Sequence, residues 1–171
     1  MEKENEKLLW AIANNNLQDA SAAIEAGADV NNIGYFDETP LIYACRTNGI
    51  DADIISLLLN AGAYPNHREY NGFTPLLLAV TQRSTIIVDR LLSAGADPYV
   101  TLQDKNIVWY ALQSPNDSML PFLADRGIDI DMIDPDSGYT SLDWAYFHNM
   151  QHYIDRLAGF GAKPTRVTHY L

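Results

Sequence analysis

Four aspartates, Asp129, Asp131, Asp134 and Asp136, crowd the approach to Gly138, and alternating carboxylates ahead of a glycine are the raw material of a calcium loop. Such a loop wants its glycine at the sixth place and a bidentate glutamate at the twelfth. Counted from Asp134, Gly138 falls fifth and the twelfth residue is Ala145, so both fixed points are missed. His148 and His152 are four apart, the spacing that turns two imidazoles to one helix face for zinc. They straddle an expected turn, with no cysteine or third histidine close by; His169 is in the C-terminal tail, and His67, in a finger, is expected to be exposed. Cys45 is the single cysteine, so no intrachain disulfide forms, and its place after Ala44 in an expected helix suits a small buried hydrophobe. A Gly-x-Ser-x-Gly elbow, a phosphate-cradling glycine loop and a Cys-x-x-Cys pair are all missing. No carboxylate comes with a nucleophile, a base and an orienting partner at legible spacing. The residues therefore predict no catalytic group, no cofactor and no metal.

The elements that carry these groups repeat. Asn71-Gly72-Phe73-Thr74-Pro75-Leu76-Leu77-Leu78-Ala79 reads as a turn followed at once by a helix start. Gly72 suits the positive φ of a tight turn, Thr74 can cap the exposed amides, and Pro75 lacks only an N–H that would have no partner there. Glu38-Thr39-Pro40-Leu41-Ile42-Tyr43-Ala44 states the same phrase upstream, and Gly138-Tyr139-Thr140-Ser141-Leu142-Asp143-Trp144-Ala145 restates it downstream. A second marker closes each unit. Gly27, Gly62, Gly95, Gly127 and Gly161 are 35, 33, 32 and 34 residues apart, each placed as a left-handed helix C-cap. Ahead of them Ile54 with Leu58, Ile87 with Leu91, and Ile154 near Leu157 form apolar stripes at helical spacing.

Helix–turn–helix units returning about every 33 residues resemble the ankyrin repeat. The resemblance covers nearly the whole chain and implies an all-α repeat solenoid, each repeat a helix–turn–helix with a hairpin finger. One domain is expected over 1–171: an N-terminal cap helix pair in 5–33, four repeats at about 34–66, 67–100, 101–133 and 134–164, and a tail at 165–171. In the cap pair the helices are expected over Glu6–Ala13 and Leu17–Ala26. The first full repeat has two extra residues near Thr47–Asp51. The third is the most worn, with a finger one residue short, no Thr-Pro before Val108, and Pro121 near the start of its second helix behind Asn116 or Asp117 as cap. The histidine that usually follows Thr-Pro-Leu in this family, tying helix to finger, is replaced by Ile42, Leu77 and Asp143.

Over 171 residues the chain is 47% hydrophobic, and 22 acidic against 11 basic residues leave a net charge of -11. That field repels DNA and RNA, whose recognition depends on neutralising phosphate. It favours a basic protein partner, or serves solubility alone. The charged N-terminus lacks a signal-peptide core and no apolar run suits a membrane span, so a cytoplasmic protein, monomeric when free, is expected. Trp10, Trp109 and Trp144 are expected in the helical core. Aromatic rings at finger positions suit partner contact or packing between fingers. The family's partners usually sit on the concave side, on finger tips and the turn-facing ends of the first helices. Carried over, that surface comprises Tyr35, Phe36, Glu38 and Arg46, then Tyr70, Asn71, Phe73 and Gln82, then Asp136, Tyr139 and Phe147. The resulting reading is a non-catalytic module that binds a protein partner there. An alternative is a neutraliser of a toxin or enzyme, an immunity or inhibitor protein. A reading from a different class is a metal-dependent protein or enzyme using the Asp129–Asp136 cluster.

Overall fold

Paired helices make up the regular structure of the computed structural model, which describes residues 2–113, 118–135 and 137–165. Contacts divide the chain into two compact units, Met1–Asp97 and Pro98–Leu171. In the first, α1 (Glu2–Ala13) pairs with α2 (Leu17–Glu25), α3 (Pro40–Arg46) with α4 (Ala52–Asn60), and α5 (Pro75–Thr81) with α6 (Thr85–Ser93). The first helices stack as one layer, α1 on α3 on α5, and the second helices as another, α2 on α4 on α6. Between the layers Leu8, Ile12, Leu41, Ile42, Ile54, Leu58, Leu77 and Leu91 are buried. The second unit pairs α7 (Ile107–Leu112) with α8 (Met119–Asp125) and α9 (Ser141–Phe147) with α10 (Gln151–Gly159), burying Leu112, Leu120, Leu123 and Leu157.

The caps sit where the phrase puts them. Thr39 and Thr74 accept hydrogen bonds from the amides of Ile42 and Leu77, both at 3.3 Å. Thr140 and Asp143 form a reciprocal capping box on α9. The worn third repeat keeps the function with another residue: Asn106 accepts from the Trp109 amide at 3.2 Å. Its side chain also donates to the Met132 carbonyl (3.1 Å) and accepts from the Ser141 hydroxyl (2.8 Å). Serine at the usual proline position is thereby explained, because a proline there would leave Asn106 one donor short.

A ladder of side-chain amides joins successive repeats, and the sequence reading missed it. Asn31 donates to the Gly62 carbonyl and accepts from the Tyr64 amide, both at 2.9 Å. Asn66 does the same to Gly95 (3.0 Å) and Asp97 (2.7 Å). Further along, Asp131 accepts from the Lys163 amide at 2.8 Å. These bonds satisfy backbone groups at the helix ends, which otherwise have no intrahelical partner.

Three expectations need correction, and a fourth falls outside the described residues. Helix α1 starts at Glu2, four residues earlier than expected, with Glu2 and Glu4 in its first turn, where carboxylates favour the helix. Trp10 is not core: it is 59% exposed, because it lies two positions from both Leu8 and Ile12, off the buried face of α1. Ser118 precedes α8 without a side-chain cap bond, and Asn116 and Asp117 lie outside the described residues. His67 is half-buried, its Nε2 donating to the Asp37 carbonyl at 2.8 Å across two fingers. The short third finger has a plain cause. Gln103 (φ 54°) and Asp104 (φ 57°) close a two-residue turn between Leu102 and Lys105, a connection that needs positive φ at both positions.

The recurring glycines all have positive φ, between 78° and 95°. At Gly95 (φ 85°) a built Cβ would meet nothing within 4 Å, so only the backbone resists a side chain. Gly95→Val is therefore expected to cost about 1–2 kcal/mol through left-handed strain alone. A denaturant melt matching the parent's would show that the cap tolerates a branched residue.

Candidate functional site

In the first unit most of the expected surface residues converge on one residue the sequence reading passed over, Glu69. It opens the second finger and is buried, yet it is charged. Its carboxylate accepts from the amides of Asn71 (3.0 Å) and Phe73 (3.1 Å) and from the Asn71 side chain (3.1 Å). Burial alone would raise its pKa, but these donors, joined by the Arg46 charge, hold it below the ordinary glutamate value. Arg46, at the last turn of α3, lies 3.5 Å from Glu69 and 3.0 Å from Glu38. Gln82, just after α5, donates to the Arg46 carbonyl at 3.4 Å. Glu38, Arg46, Asn71, Phe73 and Gln82 thus form one hydrogen-bonded patch. An acidic residue just ahead of a glycine turn was the available signal, since Asp134 stands likewise before Gly138 and accepts from the Ser137 amide at 2.7 Å.

Exposed aromatics crown this patch. Tyr35 is 90% exposed, Phe36 72% and Tyr70 74%, while Phe73 is half-buried. Phe36 (φ 59°) and Asp37 (φ 58°) occupy the left-handed region at the tip of the first finger, uncommon for non-glycine residues and unfavourable for a bulky one. What fixes the tip is the neighbouring finger, whose Tyr70 amide donates to the Phe36 carbonyl at 2.9 Å. The rings are therefore held outward by backbone bonds and not by their own packing. Removing the Glu69 carboxylate orphans two turn amides, so Glu69→Ala is expected to destabilise by about 2–3 kcal/mol. Arg46 is largely solvated and leaves Glu69 its amide donors, so Arg46→Ala should cost under about 1 kcal/mol. Equal losses in chemical denaturation would mean the ion pair, and not the turn, is what Glu69 secures.

In the second unit Tyr139 is half-buried, Phe147 is 59% exposed, and Asp136 lies outside the described residues. Phe147 meets Trp144 edge-on at 6.4 Å, and His148 stacks on the same indole at 4.5 Å and 11°. Trp109, only 5% exposed, packs on Trp144 (6.3 Å) and Tyr153 (5.5 Å). The Lys105 ammonium lies 5.8 Å and 5.6 Å from the Trp109 and Trp144 rings.

The remaining candidates for chemistry have structural partners. Asp129 accepts from the Asp131 amide at 2.9 Å, so three of the four clustered aspartates serve backbone amides, Asp129 and Asp134 within their own turns and Asp131 at Lys163 after α10. Among the described residues no group of three or more His, Cys, Asp or Glu is placed to hold a metal ion. Cys45 is buried, and burial pushes its thiol pKa far up, away from the reactive thiolate. No described helix is long and apolar enough to cross a membrane.

Comparison with known proteins agrees with this architecture. The family described as ankyrin repeats, in three copies, matches residues 8–102, more than half of the chain. An ankyrin repeat protein of fowlpox virus (strain NVSL) is 32% identical over 166 residues, which is 90% of this chain and 47% of that protein. An E3 ubiquitin-protein ligase of Arabidopsis thaliana is 33% identical over 105 residues, 60% of this chain and 28% of the ligase. Among solved structures, the human ASB11 ankyrin repeat domain superposes with a TM-score of 0.72 at 25% identity, covering 91% of this chain and 69% of that domain. The chain spans about half or less of the length of these two curated relatives. Ankyrin repeats are in general protein–protein interaction modules. Two stacked helical layers, threonine-capped first helices, glycine C-caps and finger turns recur at the matching spacing, and this chain belongs to the ankyrin-repeat family.

Proposed function

We propose that the chain is a non-catalytic binding module whose protein partner docks on the finger tips and the turn-facing ends of α3 and α5. One observation carries this reading: Tyr35, Phe36 and Tyr70 stand exposed side by side on a tip held by backbone bonds. Large solvated rings contribute little to the fold, whereas buried interface aromatics dominate binding energy. Glu38, Arg46, Asn71 and Gln82 would supply the polar rim, with Phe73 beneath, and Tyr139 and Phe147 the corresponding contacts of the second unit. The partner carries a basic surface, matched to the net charge of -11, and meets a monomer in the cytoplasm.

The test is affinity capture with the full chain as bait, followed by hydrogen-exchange footprinting of the purified complex. Protection over residues 35–46 and 69–82 is expected. A footprint confined to α2, α4 and α6 would place the partner on the other helical layer and overturn the reading. Association should also slow as salt rises, because screening acts over about 8–10 Å at ordinary ionic strength. An on-rate indifferent to salt would remove the basic partner while leaving the docking face intact.

A further inference from the structure

We propose that the groove between α1 and the first finger takes a lysine- or arginine-bearing extended segment of the partner, an inference that rests on the protein-binding reading above. The groove measures about 680 Å³ and lies wholly within the first unit. Its apolar lining comes from Leu9 and Trp10 of α1, Ile33 and Tyr35 of the finger, and Tyr43 of α3. Trp10 is 59% exposed and Ile33 58%, so with Tyr35 the groove presents three large apolar side chains to solvent. Exposed apolar surface gathered in a concavity, rather than scattered, marks a place that something covers.

Charge says what covers it. Glu2, Glu6 and Glu38 also line the groove, and no lysine or arginine does. Glu2 and Glu6 are one helical turn apart on α1 and enter none of the described ion pairs. The neighbouring Lys7 is engaged elsewhere, with Glu4 at 2.9 Å. A basic side chain laid in this groove would set its methylene stem on Ile33 and Leu9, its charge over the indole or phenol faces, and its N–H donors toward the carboxylates. An acidic or nucleic-acid ligand would meet those carboxylates with like charge. A second copy of this chain, at net charge -11, would be opposed in the same way.

The experiment is an array of short immobilised peptides of varied charge, probed with the full chain and then with three variants. Peptides combining Lys or Arg with a neighbouring apolar residue should be retained, and less so at high salt. Trp10→Ala and Glu6→Gln change exposed residues, so both should melt with the parent, yet each should weaken the retained peptides about tenfold. Tyr70→Ser, outside the groove lining, should leave them unchanged. Retention of acidic or neutral peptides, retention indifferent to Trp10→Ala and Glu6→Gln, or no retention at all overturns the proposal. Peptides held equally by the α1 variants but lost with Tyr70→Ser would overturn the groove while sustaining the finger-tip reading. A concentration-dependent dimer abolished by Trp10→Ala would name a second copy as the occupant and likewise overturn it.

Discussion

The double variant Tyr35→Ser, Tyr70→Ser is expected to melt with the parent and to lose about 4 kcal/mol of partner affinity, roughly a thousandfold. Stability is spared because both rings are solvated, at 90% and 74% exposure, and solvated substitutions usually stay within about 0.5 kcal/mol. The inter-finger bond survives as well, since the Tyr70 donor to the Phe36 carbonyl is a backbone amide that serine retains. Affinity falls because each ring would be desolvated in the complex, at about 2 kcal/mol or more apiece. Leu91→Ala is the contrast. Leu91 is completely buried in α6, so truncation should cost about 2–5 kcal/mol of stability and weaken binding only through unfolding. A melt and a titration on the same three proteins decide the matter. A Tyr pair that unfolds the chain would make the rings inter-finger packing; one that changes neither quantity would put the partner on another face.

Local rules made the framework legible in the sequence. Thr39, Thr74 and Thr140 cap because a hydroxyl ahead of a helix has a single good use, and the recurring glycines end helices because few other residues tolerate their φ. The two extra residues near Thr47–Asp51 appear as a longer turn in which Gly49 takes φ 73°. What escaped the reading was non-local. Trp10 is the exception, since it lies two positions from both Leu8 and Ile12, off the buried stripe of α1, so its exposure could be read from the helix period. Glu69 looked like one more surface acid; its burial depends on Arg46 arriving from the previous repeat and on the turn closing over it.

The worn repeat shows the same boundary from the other side. Asn106 and Ser141 each read as the loss of a family residue, Thr in one repeat and Pro in the next. Across 35 residues they are partners in one hydrogen bond, so two departures in the sequence make a single compensated contact. The expected surface was legible in part for a related reason. Glu38, Arg46, Asn71, Phe73 and Gln82 do meet, because finger tips and first-helix ends are neighbours in every repeat of this kind. Which of them would be held in place, and which left free to meet a partner, depended on Glu69.

Asp143 is where acid should unfasten the last repeat. It stands at the place of the family histidine and is fully buried. Its carboxylate accepts from the Thr140 amide and hydroxyl, both at 2.9 Å, and from the Thr165 amide (3.1 Å) and hydroxyl (2.5 Å). The aspartate thus ties α9 to the segment after α10, the kind of helix-to-loop tie the missing histidine would have supplied. Burial by itself would raise the Asp143 pKa; the Thr165 and Thr140 donors outweigh it and hold the carboxyl below the ordinary aspartate value. A folded pKa below the unfolded one, about 3.9, means the contribution is complete above roughly pH 5 and is lost as pH falls through the folded value. Asp143→Ala should therefore lower stability at neutral pH by about 3 kcal/mol, leaving buried Thr140 donors unmatched. Thr165→Val, which retains the amide donor, should cost only about 1 kcal/mol. Below about pH 4 the parent should lose much of its advantage over Asp143→Ala. Melts of the parent and both variants from neutral to acid pH make the comparison. A gap between parent and Asp143→Ala that stays constant into acid would show that packing, and not the ionised carboxylate, fastens the end of the repeat.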